Sequence, residues 1–207
     1  MKSVEPAAVP QTDLRLLNSF QEWKDFFSSH QGILVMLNDP TSGTLTGNIS
    51  AEKGASLCLN HLSEHDRKGF GEWLEKNISR LVGFDVKNLL HIFMSLGIKM
   101  TGAFFDLQLA GFLLDSEFRN PSLKELALKY LQPSGIPVPE DELNKEDACS
   151  RACKGFLAYL LYEKLSDRIR KEGMAELFEK IELPMVYVLA VMEENGILID
   201  RDFLKEY

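Results

Sequence analysis

Apolar residues recur along this chain with two different periods, and the change from one to the other divides it into elements. Ile33 to Leu37 is a short continuous apolar run of strand length. Thr44 to Glu52 alternates loosely, and Ala55 to Asn60 follows a Lys53-Gly54 pair that resembles a hairpin turn. With Pro40 and Gly43 marking the first turn, the three runs read as consecutive strands of an antiparallel meander. Arg80 to Phe84 supplies a short fourth strand. Helical spacing governs the stretches between. Asn18 or Ser19 caps a helix through about His30, with Phe20, Trp23, Phe26 and Phe27 on one side and Glu22 placed as capping-box partner to Ser19. Ser63 to about Lys76 turns Phe70, Trp73 and Leu74 inward.

The most apolar stretch is Gly83 to Asp115, GFDVKNLLHIFMSLGIKMTGAFFDLQLAGFLLD. Leu89, Leu90, Phe93, Met94 and Leu96 fall at helical spacing, Gly97 stands where a C-cap belongs, and Phe104 to Leu114 predicts a second helix. Pro121 and Ser122 open a helix through Leu131, striped by Leu123, Leu126, Ala127 and Tyr130. Gln132 to Pro139 is the clearest loop. Beyond Leu143 the pattern is helical: Lys145 to Arg170, Met174 to Ile181, and a helix from Pro184 to Asn195-Gly196. Ile197 to Ile199 reads as extended, and Asp200 as the cap of a helix with barely two turns before Tyr207. Such a helix cannot hold together alone in water, so the chain reads as cut. Residues 1–13, with Pro6 and Pro10, read as a flexible leader. Strands first, then alternating elements, then a helical block imply an α/β fold with a mixed sheet.

Composition narrows the classes. The 207 residues are 45% hydrophobic and 26% charged, as in an ordinary globular protein of one large or two small domains. No apolar run approaches the roughly 20 residues that span a bilayer. Met1 to Gln11 lacks a signal core or an arginine-rich amphipathic pattern, which predicts a cytoplasmic chain with no membrane partner. A net charge of −8 predicts weak DNA binding at best for this chain alone. Lys145, Arg151, Lys154, Lys164, Arg168, Arg170 and Lys171 are interleaved with acids, as on a solvated face. Cys58, Cys149 and Cys153 suggest no disulfide framework; Cys149 and Cys153, four apart on one helix face, read as small core residues in a reducing compartment. His30, His61, His65 and His91 fall in four different elements and read as surface or boundary residues.

Two stretches resemble a known family. Lys180 to Tyr207, with Glu182-x-Pro184, an apolar helix and Glu193-x-x-Gly196-Ile197-x-Ile199-Asp200, is similar to the join between the exonuclease and polymerase domains of bacterial DNA polymerase I, family A. LVGFDVKNLLHIFMSLGIKMTGAFFDLQLAGFLLD followed by SLKELALKYL resembles the middle of that family's 3′→5′ proofreading domain, and LTGNISAEKGASLCLNH stands at the expected spacing. The resemblance implies a ribonuclease-H-like mixed sheet flanked by helices. It divides the chain into a leader at 1–13, an exonuclease-like domain at 14–180 and the start of a polymerase domain at 181–207.

The family's chemistry uses four carboxylates around two metal ions about 3.5–4 Å apart, Mg²⁺ or Mn²⁺ being hard cations that take oxygen ligands. Carried over residue by residue, the first-strand Asp-x-Glu becomes Leu37 and Asp39. The aspartate on the helix after the fourth strand becomes Leu89, and the asparagine four residues before it becomes Asp85. For the late Tyr-x-x-x-Asp, an ungapped count from Pro184 gives Cys149 and Cys153, whereas KEDA gives Leu143 and Asp147 at the expense of a six-residue insertion. At least two ligands are then leucines, so a vestigial nuclease site is expected, with no metal or other cofactor of its own. Mg²⁺ would be needed by an active relative or by the parent polymerase. The residues also have plainer readings: Asp39 as a turn residue, Asp85 as a helix cap, and Asp106, in Phe-Asp-x-x-Leu, as structural or capping.

The implied role is a structural module, a monomer packed on the polymerase domain of a replication and repair enzyme, reaching DNA and the nucleoid only through that parent chain. An active two-metal exonuclease using displaced Asp39, Asp85 and Asp147 is the alternative. A free-standing interaction module is a third.

Overall fold

The computed structural model describes residues 13–39, 42–145 and 147–198. The Pro40 turn, Ile199, the Asp200 cap and the last helix lie outside the described residues, as does the leader through residue 12. Six strands form one mixed sheet in the order β1-β4-β3-β2-β5-β6. They are β1 Asp13–Leu17, β2 Leu34–Asp39, β3 Thr44–Asn48, β4 Lys53–Cys58, β5 Leu81–Gly83 and β6 Phe105–Asp106. β2, β3 and β4 are the expected antiparallel meander, with Val35 opposite Asn48 and Thr46 opposite Ser56. β5 runs parallel to β2 with Leu34 opposite Leu81, and β6 parallel to β5.

Two strands depart from the sequence expectation. Asp13, expected in the leader, opens β1, which pairs parallel to β4 with Leu14 opposite Gly54. Its side chains are largely exposed, so backbone pairing holds it and no apolar alternation marks it. Phe105 and Asp106, read as helical, form β6 instead; the helix begins one residue later because the Asp106 carboxylate caps it.

The pleat sorts the core into two clusters, one on each face of the sheet. Leu34 and Met36 of β2 face one cluster, Val35 and Leu37 the other. On the first face lie α1 Phe20–Ser28, α2 Glu64–Asn77 and α3 Val86–Ser95. Trp23, Phe27, Phe70 and Phe93 dominate it, with the Trp23 and Phe70 rings edge-on at 5.8 Å. Gly47 of β3 lies directly beneath them: a Cβ there would come within 2.7 Å of both Trp23 and Phe27. On the second face lie α4 Leu107–Leu114, α5 Leu123–Tyr130 and the long α7 Ala148–Lys171, with a single turn, α6 Glu140–Leu143, before it.

Caps set the helix starts. Ser19 accepts from the Glu22 amide, but the Glu22 carboxylate returns to the Asn18 amide, one residue earlier than the expected box. Ser122 and Glu125 complete a full capping box on α5. At the end, α8 Ala175–Leu177, a π-helical turn Phe178–Glu182 and α9 Leu183–Asn195 run on without a break. The expected boundary at 180/181 thus falls inside one helical run. Pro184 has no N–H to give the preceding turn, and the wider π turn is where that missing bond is accommodated. α9 returns to the first face through Val186 and Ala190.

Candidate functional site

The positions singled out by sequence lie around the ends of β2 and β5. A cleft there is lined by Leu37 and Asn38 of β2, Phe84 after β5, Leu143 of α6, and Lys124 and Lys154 of α5 and α7, among others. The described lining includes two ammonium groups and no carboxylate. Lys124 reaches Glu140 at 2.7 Å, and Lys154 donates to the Lys145 carbonyl at 3.1 Å. The side-chain amide of Asn38 is buried with neither end partnered.

Each candidate residue has a definite place. Leu37 packs against the second cluster, beside Val35. Leu89 is 1% exposed and belongs to the first cluster. The two positions aligned with metal ligands therefore belong to clusters on opposite faces of the sheet. Asp39 receives the Ser42 hydroxyl at 2.7 Å, closing the turn after β2, and faces Arg151 Nη1 at 3.6 Å. Both side chains are mostly buried, at 10% and 18% exposed. Asp85 caps α3, accepting from the Asn88 amide, with φ of 53° in the left-handed region that aspartate tolerates better than most residues. Asp147 caps α7, accepting from the Ser150 amide at 2.7 Å, and is otherwise exposed.

The cysteines split. Cys153 is buried in the second cluster, and burial pushes its thiol up to about 11. Cys149 is exposed, contrary to its reading as a core residue, because the first turn of α7 overhangs the cluster's edge and burial begins at Ser150. Leu143, the alternative tyrosine position, lines the cleft with Leu37.

Asp106 is 4% exposed and accepts three backbone N–H groups, from Val86, Gln108 and Leu109. It thereby ties the start of α3 to the start of α4. Burial raises its pKa to about 6 despite those bonds.

Sequence reasoning passed over Arg151 as the partner of Asp39 and the two lysines of the cleft. Both depend on contacts between residues far apart in the chain. Of the positions that the resemblance aligns with ligands of hard divalent ions, Leu37 and Leu89 offer no oxygen, and the nearby aspartates Asp39, Asp85 and Asp147 are held by a turn, two helix caps and a guanidinium. Among the described residues no three His, Cys, Asp or Glu side chains converge.

The six-stranded mixed sheet with helices on both faces defines a ribonuclease H-like α/β domain. Residues 38–142 match the family described as DNA polymerase I, ribonuclease H-like domain, and the chain belongs to that family. The match ends before either version of the third motif. DNA polymerase I of Bacillus subtilis (strain 168) is 29% identical over 149 residues, covering 66% of this chain and 16% of that protein. The enzyme of Streptococcus pneumoniae serotype 4 is 30% identical over 150 residues, again 66% of this chain and 16% of its own length. The chain thus spans about a sixth of these relatives.

Among solved structures, the POL domain of Pol1 from M. smegmatis, in complex with DNA primer-template and dNTP, superposes with a TM-score of 0.71 at 20% identity. It covers 93% of this chain and 34% of that one. Brucella melitensis NrnC bound to pGG gives 0.59 at 11% identity, covering 92% and 98%. At these identities the structures speak for the fold alone.

Proposed function

We propose that this chain is a vestigial 3′→5′ exonuclease-like domain, a structural module of a family A DNA polymerase without proofreading activity of its own. The carrying observation is Leu89, sealed in the core where the family's chemistry needs a carboxylate in a wet cleft. Leu37 and Lys154 of the cleft reinforce it, because an ammonium group without a carboxylate partner among the described residues opposes a divalent cation, whereas Lys124 is offset by Glu140.

The partner in this reading is a polymerase domain, which begins near residue 181 and through which the chain reaches DNA in replication and repair in the bacterial cytoplasm. Leu177, Ile181, Met185, Val188, Leu189 and Met192 form an exposed apolar stripe at helical spacing along the last helical run. That stripe supports docking of a large neighbouring domain. Among the described residues no helix is long and apolar enough to cross a membrane.

The test is incubation with single-stranded DNA and Mn²⁺. No metal-dependent shortening is expected; activity that vanished on Asp39→Ala or Asp147→Ala would overturn the reading. A second reading, an active exonuclease with displaced ligands, draws on Asp147, which is exposed one turn before Arg151 and its partner Asp39. Calorimetric titration with Mn²⁺ separates the two, since only the second predicts millimolar or tighter affinity.

A further inference from the structure

A cavity of about 390 Å³ lies at the end of the sheet away from the cleft, where Ile33 leads into β2, Arg80 into β5 and Phe104 into β6. The second half of α7 and the π turn close its other side through Tyr162, Ser166 and Phe178. The volume is in the range of small-ligand sites, and the wall combines apolar side chains with polar ones.

Arg80 is the polar group in that wall whose donors are left unmatched. Its Nε and Nη2 atoms are shut off from solvent with no acceptor. Burial pulls its pKa below the usual arginine value, yet a guanidinium does not shed its proton in a protein. It is therefore a cation deprived of part of its hydration. Among the described residues no carboxylate forms an ion pair with it, whereas Arg170, also on the lining, has Asp167 at 3.5 Å. Glu179 is the one carboxylate among the described lining residues, against two arginines in the same lining. Ser79 and Tyr162 add hydroxyl groups that can donate to an oxyanion.

We propose that this cavity binds a small organic anion, a phosphate monoester or carboxylate on an aromatic body. The charge lies against Arg80, and the ring lies on Ile33, Phe104 and Phe178. An incoming oxyanion supplies the counter-charge that the fold withholds from Arg80, and the apolar part of the wall distinguishes an organic anion from a bare inorganic one. The site is independent of whether the cleft performs nuclease chemistry.

The probes are phenyl phosphate, benzoate and inorganic phosphate, titrated into the intact chain by calorimetry and followed by backbone amide NMR. Saturable binding of phenyl phosphate or benzoate in the low-millimolar range or tighter is expected, with shifts centred on Ser79 to Val82. Inorganic phosphate should bind at least about tenfold more weakly, the difference made by one buried ring. Arg80→Met should lose about tenfold or more, Arg170→Met less, and Arg80→Lys should retain part of the affinity. Absence of saturable binding of both organic anions below about 10 mM overturns the proposal. So do shifts centred elsewhere, or affinity unchanged in Arg80→Met. In wild type the shift map decides alone, even if a variant fails to fold.

Discussion

Asp106 and Asp39 are both aspartates at the end of a strand, yet the fold uses them in opposite ways. Asp106 is deep, spends its lone pairs on three backbone amides and joins two helix starts. Asp39 ends β2 with its side chain mostly buried, where Ser42 and Arg151 engage it. Around Asp106 the neighbours are backbone amides; beside Asp39 the cleft is lined by Leu37, Asn38 and two lysines, among others. The difference separates two demands on a carboxylate. One that satisfies buried backbone donors cannot be replaced without orphaning them, whereas one engaged by mobile side chains can be replaced at smaller cost.

Four perturbations press on that contrast. The largest effect is expected for Leu89→Asp, which restores a ligand type at a core position. Burying a charge among Leu90 and Phe93 should cost about 4 kcal/mol or more in denaturant unfolding, with no gain in Mn²⁺ affinity. A tolerated, metal-binding Leu89→Asp would break the contrast outright.

Asp106→Ala follows, at about 3 kcal/mol, because it strands the buried Val86 amide. The pH dependence of Asp106 sharpens the point. Its carboxyl titrates at about 6 when folded against 3.8 in the unfolded chain, so the folded state holds the proton more tightly. From this group alone, stability is greatest below pH about 4, declines as pH rises to about 6, and is level above, a change on the order of 3 kcal/mol. Subtracting the stability profile of Asp106→Asn from that of the wild type should isolate the decline, even though Glu125, held low by the Ser122 amide, acts in the opposite direction.

A double-mutant cycle on Asp39→Asn and Arg151→Met should give a coupling of about 1 kcal/mol, as for a partly buried pair of imperfect geometry. The smallest effect is expected at the clasp between α3 and α9. There Glu193 takes the Lys87 ammonium at 2.8 Å and lies 2.7 Å from His91 Nε2, and these bonds hold its carboxyl below the usual range. Glu193→Gln should loosen α9 slightly, and less so at high salt, read by amide exchange along Val186 to Ala190.

The meander, the caps at Ser19 and Asp85, and the apolar face of α3 were legible in the sequence because each rests on local spacing or on a side chain meeting its own backbone. β1 was not, since its partner β4 lies far along the chain and its exposed residues carry no alternation. In the site, the cap role of Asp85 was legible by its position. The Arg151 contact, the lysines of the cleft and the isolation of Arg80 arise from tertiary placement, which residue spacing does not encode.

The π turn at Phe178–Glu182 has a consequence for phase. A turn of that kind holds one residue more than its α-helical counterpart, so everything after it is rotated by about 100° relative to an uninterrupted helix. That angular offset decides which side of α9 meets α3: Val186 and Ala190 inward, Met185 and Met192 outward. Winding the same residues into a plain α-helix would swing the inward pair away from α3, whereas removing one residue from the turn would restore the α-helix and leave that pair in place. The turn thus absorbs one residue locally and fixes the azimuth at which this end of the chain presents itself to a neighbour.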